Sequence, residues 1–325
     1  MIVRPELEAL RGDDTPQRQA QAALHAIYQG WRKAGPGQVL DAELARFGHG
    51  VLLEDLPLLS GMFDPADDTT LSVVADLISL ILKQLEAEPL SQSPLRFSTN
   101  ESHASVVLAR QGDAALVVQA FDGASLAGRP KPASLAFPPT ETFERVIAGS
   151  AQATVIKVMD QRRDGAELGF CETALQTGQV TRRLGNQAAQ LLGNVQGVLL
   201  VLRLQRRLPD VGVTREYRLS DGALIHQAAG SSRDSRLELA AALLGKMGRD
   251  DAAPLLAAMA EERGSQSLRW QALRECLGLD TATGFAALCR VACRADDPLA
   301  VPAGALRAQL LETYPQLAGV NPCPA

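Results

Sequence analysis

Four histidines, five cysteines and a scatter of arginines and acids are the groups with which this chain could do chemistry, and they are thinly spaced. His25 and His49 fall in helical stretches, whereas His103 and His226 fall where the pattern reads as β-strand. A divalent metal takes three or four N or O ligands, so His103 and His226 could hold one only by meeting inside a β-layer together with Glu101 or Glu144. The plainer reading, a lone surface or hydrogen-bonded histidine at each position, is preferred. Cys289 and Cys293 sit one helical turn apart, a spacing that could supply half a metal site, but no histidine lies near them in sequence. Two small buried hydrophobes is the preferred account. Strand alternation places Arg203 on one sheet face with Val201 and Leu199. An arginine emerging from that apolar face could hold an anionic ligand, although a place at the rim in solvent is the simpler expectation. There is no Gly-x-Ser-x-Gly elbow, no Walker loop and no strand-linked Gly-x-Gly-x-x-Gly.

The elements that would position these residues are bounded first by size and composition. At 325 residues the chain predicts two or three folding units, and its 46% hydrophobic content is that of a globular protein. A net charge of -5 argues against a general nucleic-acid binder, which needs a basic field to displace counterions; the cluster Arg203, Arg206 and Arg207 reads as a solvated face. Residues 1–10 carry charges throughout and lack the apolar core of a signal peptide. The longest apolar run, residues 71–82, is interrupted by Asp76 and followed by Lys83, so no membrane span is expected. The odd number of cysteines (Cys171, Cys276, Cys289, Cys293, Cys323) suggests no paired framework and fits a reducing cytoplasm.

The first region reads as helix. Asp14 or Thr15 can cap a helix with Pro16 at its first position, carrying Ala20, Ala23, Leu24, Ile27 and Trp31 at helical spacing to a stop at Gly35-Pro36-Gly37. Asp41 begins a second amphipathic stretch, residues 44–59, broken at Gly48 and Pro57. A third follows Asp67-Asp68-Thr69-Thr70 and ends near Pro89. That acidic pair suits a helix start better than a catalytic dyad. From Ser93 the pattern changes to short runs rich in Val, Leu and Thr: residues 106–108, 115–121, 142–158, 166–175, 198–204 and 214–226. Turns are predicted at Arg110-Gln111-Gly112-Asp113, Asp164-Gly165 and Ser220-Asp221-Gly222. Strands at this spacing without intervening helices predict an antiparallel sandwich or barrel.

After Gly230 the helical period returns over residues 235–247, 252–262, 267–277, 283–294 and 303–313. Arg236 with Leu244-Gly245, and Arg269 with Leu277-Gly278, recur at matching offsets, and each is followed by a second apolar helix. The segment resembles HEAT-like repeats over the last quarter of the chain, which implies stacked helical hairpins with a continuous outer surface for protein partners.

The middle region carries a more particular resemblance. Thr142-Phe143-Glu144-Arg145-Val146-Ile147-Ala148-Gly149-Ser150-Ala151 looks like the first cupin motif, a strand entering a tight turn at Gly149. Residues 178–185, followed by Leu191-Leu192-Gly193-Asn194-Val195, are similar to the second, with one residue missing between its glycines. The family's metal-ligand positions fall on Leu135, Phe137, Thr142 and Ala188, none of which can serve, so the resemblance implies a barrel without metal. Glu144 would share the inward face of Thr142. The layout of helices before a barrel also resembles thiol dioxygenases, whose iron is held by three histidines; this makes Fe, with His103 and His226, the alternative cofactor reading.

An α+β chain is therefore expected: a helical region at 1–92, a cupin-like β-barrel or sandwich at 93–230 and HEAT-like hairpins at 231–325. The expected function is a metal-free binding or protein-interaction protein that holds an unknown small molecule or protein partner. Thr142, Glu144 and Arg203 are its candidate contacts, and its helices could form a homodimer. The alternative is an enzyme, either an oxygenase using His103 and His226 or a metal-free isomerase or lyase using Glu144. A lone carboxylate in an apolar barrel would have a raised pKa suited to acid–base work.

Overall fold

The computed structural model describes residues 12–208 and 212–320; the charged residues 1–10 and Cys323 lie outside the described residues. The fold is α+β, and its contacts divide it into two compact units. The first contains the described residues up to Ala133, with Thr140–Gln161 and Glu167–Arg207. The second contains Ser134–Pro139, Arg162–Ala166 and the described residues from Leu208 onward.

In the first unit, helices α1 (Thr15–Lys33), α2 (Gly35–Gly48), α3 (Pro57–Met62) and α4 (Ser72–Ala87) precede the sheet. Gly35-Pro36-Gly37 does not form a loop as expected: Pro36 sits in the first turn of α2, where its missing N–H has no intrahelical partner to lose. The buried Glu43 carboxylate accepts the backbone N–H groups of Leu58 and Leu59 at 3.2 and 2.9 Å, tying α2 to the start of α3. These helices are not a domain of their own. Leu44, Phe47, Leu59 and Leu77 share one core with Leu108, Leu116, Leu202 and Leu204 of the sheet, and each such buried side chain stabilises by about 1.5–3 kcal/mol.

The sheet consists of β1 (Arg96–Thr99), β2 (His103–Gln111) and β3 (Ala114–Asp122), then the short helix α5 (Gly123–Ala127). After β4 (Ser134–Phe137) come β5 (Thr140–Gln161), β6 (Ala166–Gln176), β7 (Val180–Leu184) and β8 (Ala188–Arg207). The order is β1-β2-β3-β8-β5-β6, with β7 also on β5 and the described ladders antiparallel. The turns at Gly112-Asp113 and Asp164-Gly165 fall where the sequence puts them.

The long ribbon of β5 and β8 curls. Gly185 N–H donates to Thr140 O at 2.6 Å, and Val158 N–H donates to Gln187 O at 2.8 Å. Gly185 and Gln187 are two residues apart, so Thr140 and Val158 lie within about 20 Å of each other rather than the roughly 60 Å of an extended strand. Register shifts between Val146 and Ala148, Ala148 and Ser150, and Ala151 and Ala153 let the ribbon bend. At the bend Gly149 has φ 87°, and a Cβ there would lie 2.3 Å from Val198 O. The curl gives the sheet a convex face under the helices and a concave face opposite, but the barrel does not close. The hydrogen-bonded order ends at β1, which is four residues long. The strands expected at 93–230 are also divided, because β4 joins β9 (Val213–Arg218) and β10 (Leu224–Ala229) in a separate three-stranded sheet of the second unit.

In the second unit the β9–β10 turn rests on Gly222, whose φ of 70° is left-handed and whose Cβ position is filled by Ala166 O, 1.8 Å away. Five helices follow: α6 (Ser232–Lys246), α7 (Ala253–Glu261), α8 (Gln266–Leu279), α9 (Thr281–Ala292) and α10 (Ala300–Thr313), close to the expected bounds. The two arginines at matching offsets behave differently. Arg269 is buried, donates to Ala260 O at 2.9 Å and forms a two-bond pair with Asp297, while Arg236 is exposed. Cys276 and Cys289 are buried and Cys171 is exposed; Cys293 is disulfide-bonded, against the expectation of no paired cysteine, so it cannot lend a thiolate to a metal beside Cys289.

Two stability measurements check these assignments. Gly149→Ala should lower stability by more than about 1 kcal/mol in urea unfolding, since alanine resists φ near 87° and has no room. Arg269→Ala should cost about 3–5 kcal/mol by stranding Asp297, whereas Arg236→Ala should stay within about 0.5 kcal/mol. Equal costs would mean that the two positions do the same structural work.

Candidate functional site

Alternation along five neighbouring strands assembles the concave face. Glu144 on β5 is directly opposite Arg203 on β8 and Thr181 on β7, and Val146 is opposite Val201. On β3, Val117 is opposite Arg203, Gln119 opposite Val201 and Phe121 opposite Leu199; His103 on β2 is opposite Phe121. All of these pairs except Val117 and Leu199 line a cavity of about 360 Å³. Its apolar wall includes Phe121, Leu126, Val146, Leu175, Leu192 and Val201.

The charged end of the cavity is a carboxylate held between two guanidinium groups. Arg203 Nε donates to Glu144 Oε1 at 2.7 Å and Arg203 Nη2 donates to the same oxygen; Arg183 Nη2 pairs with Glu144 Oε2 at 2.7 Å. Arg183 Nη1 also donates to Gln190 Oε1. A second depression, of about 580 Å³, shares Thr181, Arg183 and Gln190 with the first, so this side-chain pair stands between the two. Burial pushes the Glu144 carboxyl up, but the charges and hydrogen bonds of Arg203 and Arg183 prevail and hold it below its ordinary value. The expected lone carboxylate of raised pKa is thus corrected: Glu144 is ionised and both its oxygens are engaged.

Next to this cluster lies a neutral polar pair. Gln119 Nε2 is 3.1 Å from His103 Nε2, and the imidazole lies 4.8 Å from the Phe121 ring. Burial, and then the Arg203 charge, lowers the His103 pKa, so the ring is uncharged at neutral pH. Gln119 is only 8% exposed, and its Oε1 is buried without a hydrogen-bond partner. Turning the amide over pairs Oε1 with an Nε2–H of His103 and leaves the amino group unpartnered instead.

The other expected contacts fall elsewhere. Thr142 shares the Glu144 face but is not part of the cavity wall, and Glu101 is exposed. His226 is exposed on β10 in the second unit. Leu135 and Phe137, read as lost ligand positions, lie on β4 in the second unit rather than in the sheet of Thr142. Asp68 does more than start a helix, since its carboxylate pairs at 2.5 Å with the buried Arg145 on the convex face. Among the described residues no three His, Cys, Asp or Glu side chains gather as a metal site. The donor set at the cavity does not suit one either: its single carboxylate is committed to two arginines, whose charges repel a divalent cation. Arg183, Gln119 and Gln190 were not foreseen. The signal for Arg183 is the pair Arg182-Arg183, which on a strand must send one guanidinium to each face.

No family model and no curated protein sequence matches the chain. Several solved structures are similar to part of the chain. Drosophila melanogaster CENP-C bound to CAL1 is 11% identical over 34% of this chain and 76% of its own, with a TM-score of 0.27. KdgF from a Halomonas species is 13% identical over 36% and 89%, at 0.25. A sugar phosphate isomerase from a cupin superfamily of Silicibacter pomeroyi is 10% identical over 41% and 85%, also at 0.25. Scores this far below 0.5 carry no weight for what this chain binds or does.

The Glu144 cluster predicts a pH signature. Its folded pKa is depressed from an ordinary 4.5, so its stabilisation is complete above about pH 4.5 and is lost as pH falls through the lower folded value. Glu144→Gln should be less stable than wild type at pH 7, and the gap should narrow as pH drops below 4.5. A gap that stays constant from pH 7 to acid unfolding would contradict the assignment.

Proposed function

We propose that the first unit is a binding module whose concave sheet face receives a small molecule, without a metal ion. The observation that carries this reading is the cavity itself. At about 360 Å³ it is within the range of ligand pockets, and it has an apolar wall with a few polar groups converging at one end. A lining of Arg183, Arg203, Gln119 and His103 is costly to bury for packing alone, which favours recognition as its role.

The acid–base reading has less support. A carboxylate held by two guanidiniums has a lowered pKa, which makes it a weak proton acceptor near neutral pH and leaves it no proton to donate. The expected helical partner surface rests on one observation in the second unit: Leu239 and Leu243 on α6 and Met247 at its C-terminal cap are 72%, 56% and 58% exposed.

Thermal-shift screening against chemically diverse small acids, bases and neutral compounds tests the binding reading. Some class should raise the melting temperature, and Leu192→Trp, which fills the cavity, should abolish the shift while leaving the unliganded protein folded. No shift from any class, or a shift that survives Leu192→Trp, would overturn it.

A further inference from the structure

The same charged triad occurs twice in this sheet, once on each face, and the two copies differ in how they are completed. On the convex face Glu141 accepts from Arg206 Nε at 2.7 Å and from Arg182 Nε at 2.8 Å. The donors left on Arg206 are used as well: Nη1 donates to Phe47 O at 2.8 Å and to Val51 O at 2.7 Å, and the guanidinium lies 4.2 Å from the Phe47 ring centroid. That copy is finished by the protein.

On the concave face Glu144, Arg203 and Arg183 repeat the arrangement, but nothing plays the part of the Phe47 and Val51 carbonyls. Among the described residues Arg203 hydrogen-bonds to Glu144 alone, through Nε and Nη2. A guanidinium carries five N–H donors in a planar fork, so donors of Arg203 remain, and Arg203 lines the cavity. Two arginines against one carboxylate, with His103 neutral, leave this face with one unbalanced positive charge. Beyond Arg203, the amide of Gln119, itself 92% buried, has one end without a partner on the same cavity wall.

From this we infer that the concave cavity takes a singly charged carboxylate with a compact apolar body. Its carboxylate accepts from the remaining donors of Arg203 and supplies what the Phe47 and Val51 carbonyls supply to Arg206. A further polar atom of the ligand meets Gln119, and its apolar part rests on Phe121, Leu175 and Leu192. A dianion would leave uncompensated negative charge beside Glu144, and a cation would face two guanidiniums. The inference deepens the binding reading above and rests on it.

Calorimetric titration of the full chain with 3-phenylpropionate, hexanoate and 4-hydroxyphenylacetate tests it, each alongside its amide and the amine of matching shape. The carboxylates should bind about tenfold or more tightly than the amides, and the amines should not bind. Arg203→Gln should weaken the carboxylates by about tenfold while changing amide binding little. Arg203→Lys, which keeps the charge but not the fork, should fall between, and Gln119→Leu should weaken 4-hydroxyphenylacetate more than hexanoate. Melting curves of each variant report whether it is folded. Acid and amide binding equally well would overturn the charge assignment and leave small-molecule binding standing. If no member of the set binds, the carboxylate inference falls, and the thermal-shift screen decides the binding reading separately.

Discussion

The period of two along a β-strand, applied to a ribbon that must curl, governs the rest of this structure. Glu141 and Glu144 are three residues apart on β5, and Arg206 and Arg203 are three apart on β8. Antiparallel pairing places Glu141 opposite Arg206 and Glu144 opposite Arg203, and an odd spacing sends the two pairs to opposite faces. Adjacent residues on β7, Arg182 and Arg183, add one guanidinium to each. A slip of one residue would break both triads together and turn Phe143 and Leu204 away from the helices. Burying unpaired ions costs several kcal/mol each, so the charges fix the register more sharply than the apolar pattern could alone.

The curl then makes the two faces different environments. Helices α2, α3 and α4 cover the convex side, and the carbonyls at the end of α2 reach Arg206. Among the described residues of the first unit, the helix on the concave side is the short α5, which contributes Leu126. That side closes on its own ribbon, through Leu175 and Leu192 from stretches beyond the bend, and this leaves a cavity instead of a filled core. Gly149 allows the bend because the strand backbone passes so close to Val198 that no side chain fits.

Much of this was legible in the sequence, and the parts that were not share a cause. The helices of the second unit, α4 of the first and the turns at Gly112, Gly165 and Gly222 follow from local chemistry, which is where sequence patterns are strongest. Glu144 and Arg203 could be placed on an inward face by alternation. Their pairing could not, because it depends on a register set by contacts 59 residues apart. The five-residue β7 lies within the stretch read as the second cupin motif and not among the expected strands, which leaves Arg183 unplaced, and with it the reason that the Glu144 pKa falls instead of rising. The closed barrel failed for a similar reason: whether β4, β9 and β10 join the main sheet is a matter of tertiary pairing, and their residues would suit either sheet. The recurrence of Arg236 and Arg269 shows the opposite error, a matching spacing without matching environments.

The concave triad is hard to account for by stability. Val146, Leu199 and Val201 show that the same face accepts apolar side chains, and an apolar replacement for a buried ion cluster is often as stable or more so. On the convex side the charges join the sheet to the end of α2 and the segment after it, through the carbonyls of Phe47 and Val51, which gives them a structural task. On the concave side, among the described residues, Arg203 hydrogen-bonds to Glu144 alone, yet it lies where the cavity is most polar, on the same wall as an amide with one end unpartnered. Desolvation there is offset only in part by the pairing that the chain provides. A ligand that completes the hydrogen bonds and balances the charge would gain most at this point, where the Glu144 carboxylate is already buried.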